Sequence, residues 1–232
     1  GNPRGWRPGF GSPFEPELNV DKKVLRNLRA HLEAFRDGAG PDMDILLDLN
    51  FNAKTEGYVK ILREIADMDM FWIEIDSYNA NALAYIRQQS PHPISSCETL
   101  LGLRDFLPYF NAQSMDVAIV DAVWNGVWQS MKIANAAEAF EVNVAPHNFY
   151  GHLCSFMNVH FSAAVPNLRI MEIDVDRLAW DDELFSHTPE FVDGHIVVSD
   201  RPGWGCDPVE EALEAHPPTG ATGNADWAMR KN

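Results

Sequence analysis

The chain has 232 residues, 46% of them hydrophobic, and a formal charge of −16 at neutral pH. That length suits one large domain, no apolar run approaches the roughly 20 residues of a membrane span, and the acidic balance argues against nucleic acid or an anionic membrane surface as partner. Cys97, Cys154 and Cys206 are odd in number and show no paired spacing, and no basic-then-apolar leader opens the chain, so reduced thiols in a cytoplasmic protein are expected.

Residues 1–18 are rich in Gly and Pro and read as a loop, with Arg4, Trp6 and Arg7 as candidate contacts for an anionic ligand. From Asn19 to Asp37, Val24, Leu25, Leu28, Leu32 and Phe35 recur at helical spacing, with Asn19 or Asp21 as N-cap and Gly38 as C-cap. The run Ile45 to Leu49 then reads as a strand buried on both faces, and it contains Asp48.

The same arrangement recurs along the chain. Apolar runs lead into Glu74, Glu98, Asp121, His147 and Glu172, and the six polar residues are separated by 26, 24, 23, 26 and 25 residues. Such a period is one strand, one helix and two short loops. The expected helices are Thr55 to Met68 (Tyr58, Leu62, Ile65 and Ala66 inward), Ala80 to Gln89, Thr99 to Phe110 and Gly126 to Phe140, with Gly151 to Val165 carrying the chain to the last strand. Beyond Glu172 the expectation is an irregular stretch to Pro189, a short strand His195 to Val198, a turn at Pro202 to Gly205, a helix Pro208 to His216, and a tail. Residues 19–205 form one catalytic domain on this reading, followed by a C-terminal helix and tail over 206–232.

Alternating strands and helices require a parallel sheet with helices outside it, an α/β fold of the (β/α) TIM-barrel type. Six units fall short of the eight of a closed barrel, and the chain opens in a loop and helix. It is therefore expected to be the C-terminal piece of a longer protein, lacking the first strand or strands. An open barrel exposes strand edges, so a partner is expected, as a homo-oligomer or a missing N-terminal segment.

Side chains at the C-terminal ends of parallel strands share one mouth. Asp48, Glu74 and Glu98 stand there on three consecutive strands, where like charges would repel unless a cation joined them. An oxygen-only set favours Mg²⁺ over zinc. Asn50, two residues past Asp48, is placed to bind a ligand carboxylate or a metal-bound water. Asp121 beside His147 would fix the ring tautomer and make the imidazole a general base. Glu172 is a candidate acid toward a substrate oxygen. His31 and His92 are expected in surface elements, and His152 and His160 in the helix after the His147 strand, none with assigned chemistry.

The ordered set LDLN, FWIEID, SSCET, MDVAIVDAVWNGV, VNVAPHNFYG and RIMEID, with Pro202-Gly203-Trp204-Gly205 behind it, resembles the mandelate racemase branch of the enolase superfamily over Asp42 to Gly205. The resemblance implies that Asp48, Glu74 and Glu98 hold Mg²⁺, that the metal binds a substrate carboxylate, and that His147 with Asp121 removes the α-proton while Glu172 acts as electrophilic acid. Three departures stand out: no match to the family's second-strand lysine motif, no N-terminal capping domain, and Glu74-Ile75-Asp76 in place of the usual Glu-Glu-Pro. One base on one face suits β-elimination of water from a sugar acid. Racemisation or epimerisation is the alternative within the family, and a non-catalytic barrel fragment the alternative outside it.

Overall fold

The computed structural model describes residues 20–217. Helix α1 (Lys22–Ala39) is capped by Asp21, whose side chain accepts from the amides of Lys23 and Val24, and it ends at Gly40 in a left-handed conformation, two residues later than the sequence suggests. Val24, Leu28 and Leu32 are buried as the periodicity requires, whereas Phe35 is exposed.

Five parallel strands follow in sheet order: β1 (Leu46–Asp48), β2 (Trp72–Glu74), β3 (Ile94–Ser96), β4 (Val117–Val120) and β5 (Asn143–Pro146). Between them run α2 (Thr55–Glu64), α3 (Ala80–Gln89), α4 (Leu103–Asn111) and α5 (Ala122–Ala139), with α6 (His152–Ala164) behind β5. The strands are short and rich in apolar residues, and their side chains alternate between two apolar layers. Leu47, Ile73, Ile75, Ala118, Val120 and Val144 pack outward against the helices, while Trp72, Val117, Ile119 and Ala145 form a second cluster on the concave side. Each fully buried Ile or Phe of the outer layer contributes roughly 1.5–3 kcal/mol by leaving water.

Several expectations need correction. The sixth strand is only a bridge: Leu168 meets Val144, with Arg169 N–H donating to the Val144 carbonyl, so Glu172 is reached by irregular chain. Ala66 is exposed and lies past the end of α2. Helix α5 begins at Ala122 because Asp121 caps it. Gly126, taken from the sequence as its start, is instead an internal kink with φ of 69°. His92 is buried and its Nε2 meets the Ile65 carbonyl at 3.0 Å, so it is a structural histidine of the core. The strand expected at His195 to Val198 is a two-residue partner in a small hairpin, β6 (Phe191–Val192) with β7 (His195–Ile196), and the last helix α7 (Glu210–Ala215) is shorter than read.

Among the described residues no helix is long and apolar enough to cross a membrane. Among the described residues, strand β1 has a partner on one side only, and Leu46, two residues before Asp48, is exposed.

Candidate active site

Parallel pairing in near-constant register brings the expected residues to one end of the sheet. Asp48 and Glu74 are directly opposite across β1 and β2, and Glu74 faces Ser95, whose hydroxyl lies 3.5 Å from Glu74 Oε2. Asn50, just past β1, takes φ of 48°, a left-handed conformation that Asn tolerates better than most residues. Its amide donates to Asp48 Oδ1 at 2.7 Å, and the Tyr58 hydroxyl donates to its carbonyl, so the turn that presents Asp48 is braced from the helix layer.

Glu98 reaches the same mouth by a kink. Ser95 faces inward, so strict alternation would turn Cys97 inward and Glu98 outward. Cys97 instead takes φ of 91°, keeps its side chain in the outer core, and leaves Glu98 facing the mouth, its Oε2 3.4 Å from His147 Nε2. Positive φ is costly for a residue with a Cβ and is found where function holds it.

Asp121 is fully buried and uses both oxygens: Oδ1 caps α5 through Trp124 N–H at 2.7 Å, and Oδ2 meets His147 Nδ1 at 2.9 Å. Because the carboxylate only accepts, Nδ1 keeps its hydrogen, and Nε2, turned to the carboxylate cluster, is the nitrogen that can gain and lose a proton. Burial alone would pull the imidazole's pKa down. The Asp121 hydrogen bond and the charges of Glu98, Glu172 and Asp121 outweigh it and hold the ring at about 8. Glu172 is fixed by the loop after β5: its Oε2 accepts from Asn148 N–H at 2.7 Å and its carbonyl from the Asn148 side chain at 3.0 Å.

The electrostatics of the mouth are one-sided. Glu98 is pushed up to about 8, first by burial and then by Asp76, with Asp48 and Glu172 adding to it. Glu74 is raised well above the carboxylate range by burial and by Asp48, Asp76, Glu98 and Glu172. The sequence marks Asp76 only as a departure from the family motif and assigns it no role in the site. It is buried, it accepts from Ser96 Oγ and Cys97 N–H at 3.2 Å each, and its Oδ2 has no partner. Its position two residues after Glu74, on the same face of the strand, is the further signal in the sequence. Tyr150, also missed, donates to Asp121 Oδ2 at 2.6 Å.

Among the described residues, no three carboxylate, imidazole or thiol side chains already stand as a closed metal cage. The donor chemistry nonetheless fits a hard divalent cation: Asp48, Glu74 and Glu98 supply oxygens only, and their mutual repulsion is what such an ion relieves. Arg4, Trp6 and Arg7 lie outside the described residues. His152 is buried and pairs with Asp182 at 2.7 Å, away from the His147 dyad.

Several known proteins are similar to this chain. The D-gluconate dehydratase of Thermoproteus tenax is 29% identical over 209 residues, 88% of this chain and 42% of that protein. The arabinonate dehydratase of Saccharolobus solfataricus is 27% identical, over 82% of this chain and 51% of the relative. A crystal structure from Burkholderia xenovorans strain LB400, described as a "putative L-alanine-DL-glutamate epimerase" bound to magnesium and fumarate, superposes with a TM-score of 0.91 at 68% identity. The match covers 97% of this chain and 56% of that one. The chain thus spans about half the length of the proteins it matches. The sequence profile described as Enolase C-terminal domain-like matches residues 17–212, and the chain belongs to that family.

Proposed function

We propose that this chain carries the proton-abstracting half of a Mg²⁺-dependent site that removes the proton α to a carboxylate and expels water from a sugar acid. The observation that carries the reading is the orientation of His147: its Nδ1 is anchored on buried Asp121 while its Nε2 is turned to Glu98 and the acidic mouth.

Asp48, Glu74 and Glu98 would hold the cation. When bound, it supplies electrophilic stabilisation of the charge that develops on the substrate carboxylate, several kcal/mol toward a proton too weakly acidic for imidazole alone. His147 Nε2 takes the α-proton, Asp121 keeps the imidazole in the required tautomer, and the imidazolium returns that proton to the departing β-hydroxyl. Glu172, fixed by Asn148, stands as hydrogen-bond donor to a substrate carboxyl oxygen when protonated, and Asn50 is a substrate contact beside Asp48. The product of such an elimination is an enol that becomes a 2-oxo-3-deoxy acid. A small-molecule acid sugar in the cytoplasm is the expected partner.

The relatives named as dehydratases of gluconate and arabinonate support this choice. One observation favours a second reading: the 68% identical structure carries an epimerase name. Epimerisation needs a second base on the opposite face of the α-carbon, and the family's second-strand lysine motif has no match in this sequence. The test is incubation of the chain with Mg²⁺ and a panel of acid sugars in D₂O. A 2-oxo acid trapped as its semicarbazone supports elimination. Deuterium at Cα with inverted configuration supports epimerisation instead, and the absence of both with every acid overturns the proton-abstraction reading for this chain.

A further inference from the structure

Beyond the two members of the dyad, a third side chain converges on it. Asp121 Oδ2 receives two hydrogen bonds, from His147 Nδ1 at 2.9 Å and from the Tyr150 hydroxyl at 2.6 Å. The Tyr150 ring also meets the imidazole edge-on, centroids 5.3 Å apart and planes at 87°. Its carbonyl is held from the other side by Arg177 Nη1 at 2.7 Å, so the loop after β5 cannot swing the phenol away without breaking that contact. With Oδ1 taken by Trp124 N–H, the carboxylate is fixed at three points and its plane cannot rotate.

We propose that Tyr150 is a positioning residue for the proton transfer: it shares Asp121 Oδ2 with His147 and thereby sets how much of that oxygen's charge the imidazole receives. The inference rests on the dyad reading above. A carboxylate oxygen that accepts two short hydrogen bonds gives less to each than one that accepts a single bond, and a buried network polarises along its length. The phenol is held protonated by burial and by the Asp121 hydrogen bond, so it remains a donor wherever the protein is folded. Tyr150 therefore moderates the His147–Asp121 bond as well as bracing it.

The test is the Nδ1–H resonance of His147 in the uniformly ¹⁵N-labelled chain, compared between wild type, Tyr150→Phe and Asp121→Asn, with circular dichroism to verify the fold. Removing the phenol leaves Oδ2 with one donor, so in Tyr150→Phe the Nδ1–H resonance moves downfield. Incorporating 3-fluorotyrosine, a stronger donor, moves it upfield. A role limited to packing would shift neither in this paired manner. An unchanged Nδ1–H resonance in Tyr150→Phe, with Asp121→Asn still abolishing it, overturns this inference and leaves the dyad standing. If Asp121→Asn is silent as well, the dyad itself falls and this inference with it.

Discussion

Asp48 and Glu74 are register partners on adjacent parallel strands, so their side chains leave the sheet side by side and reach the same mouth. Neighbouring strands lie about 4.8 Å apart, and two carboxylates at such spacing oppose one another unless a cation or proton intervenes. Glu74 is disfavoured as an anion, by burial first and then by Asp48, Asp76 and other acids. Glu74→Gln should therefore stabilise the metal-free chain by about 1 kcal/mol, a rise of ~2–4 °C in melting temperature, while removing Mg²⁺ binding. Thermal melts with and without Mg²⁺ check both halves. A variant that melts lower without metal would contradict the repulsion.

On the proposed roles the base and the cation ligands are different residues, so their losses should be distinguishable. His147→Asn is expected to reduce α-proton exchange by about 10²- to 10⁴-fold, the usual scale of general-base catalysis, with Mg²⁺ affinity unchanged by calorimetry. Loss of Mg²⁺ binding in this variant would count against the assigned roles.

Away from the mouth, Arg29 on α1 forks onto Asp67 beyond α2, with Nη1–Oδ1 at 2.9 Å and Nη2–Oδ2 at 2.7 Å. The Arg29 hydrogen bond holds Asp67 down at about 2, below its ordinary 3.8. A depressed folded-state pKa means that the pair's contribution is present above the unfolded value of 3.8 and is lost as pH falls through 2. The pair is solvent-exposed, so its effect is small and screened by salt. A ¹³C carboxyl titration should place Asp67 near 2 in wild type and near its ordinary value in Arg29→Ala.

Gly57 sits inside α2, where Ala would ordinarily gain up to ~1 kcal/mol in helix propensity. A Cβ there would lie 2.8 Å from Val20 Cγ2 and 3.1 Å from Ala53 Cβ. The clash should outweigh the propensity, and Gly57→Ala is expected to destabilise by about 1 kcal/mol. Urea unfolding measures it, and a stabilised variant would mean that the chain around Val20 yields.

What the sequence made legible was whatever repeats locally. Apolar runs ending in a polar residue at a period near 25 located all five strands and placed Asp48, Glu74, Glu98, Asp121 and His147 at one end of the sheet. The features it hid depend on tertiary contact. Leu168 to Met171 has the composition of a strand but makes only one bridge, because strand formation also needs a neighbour on which to complete the ladder. Asp76 reads as a departure from a motif, and only burial with an unpartnered Oδ2 marks it as part of the mouth. Tyr150 is one aromatic in a loop until its hydroxyl is seen on Asp121. His92, which no periodicity distinguishes from a surface residue, owes its burial to a carbonyl 27 residues earlier in the chain.

Asp121 begins a helix with one oxygen and orients the base with the other. Architecture and chemistry are thereby inherited together: a drift in the first turn of α5 is felt at His147, and replacing the carboxylate with Ala would damage both at once. Asn separates them, since its amide oxygen can still cap the helix while its other end offers a donor where the imidazole needs an acceptor. A relative with Asn at position 121 is therefore expected to keep the scaffold while losing the orientation of the base.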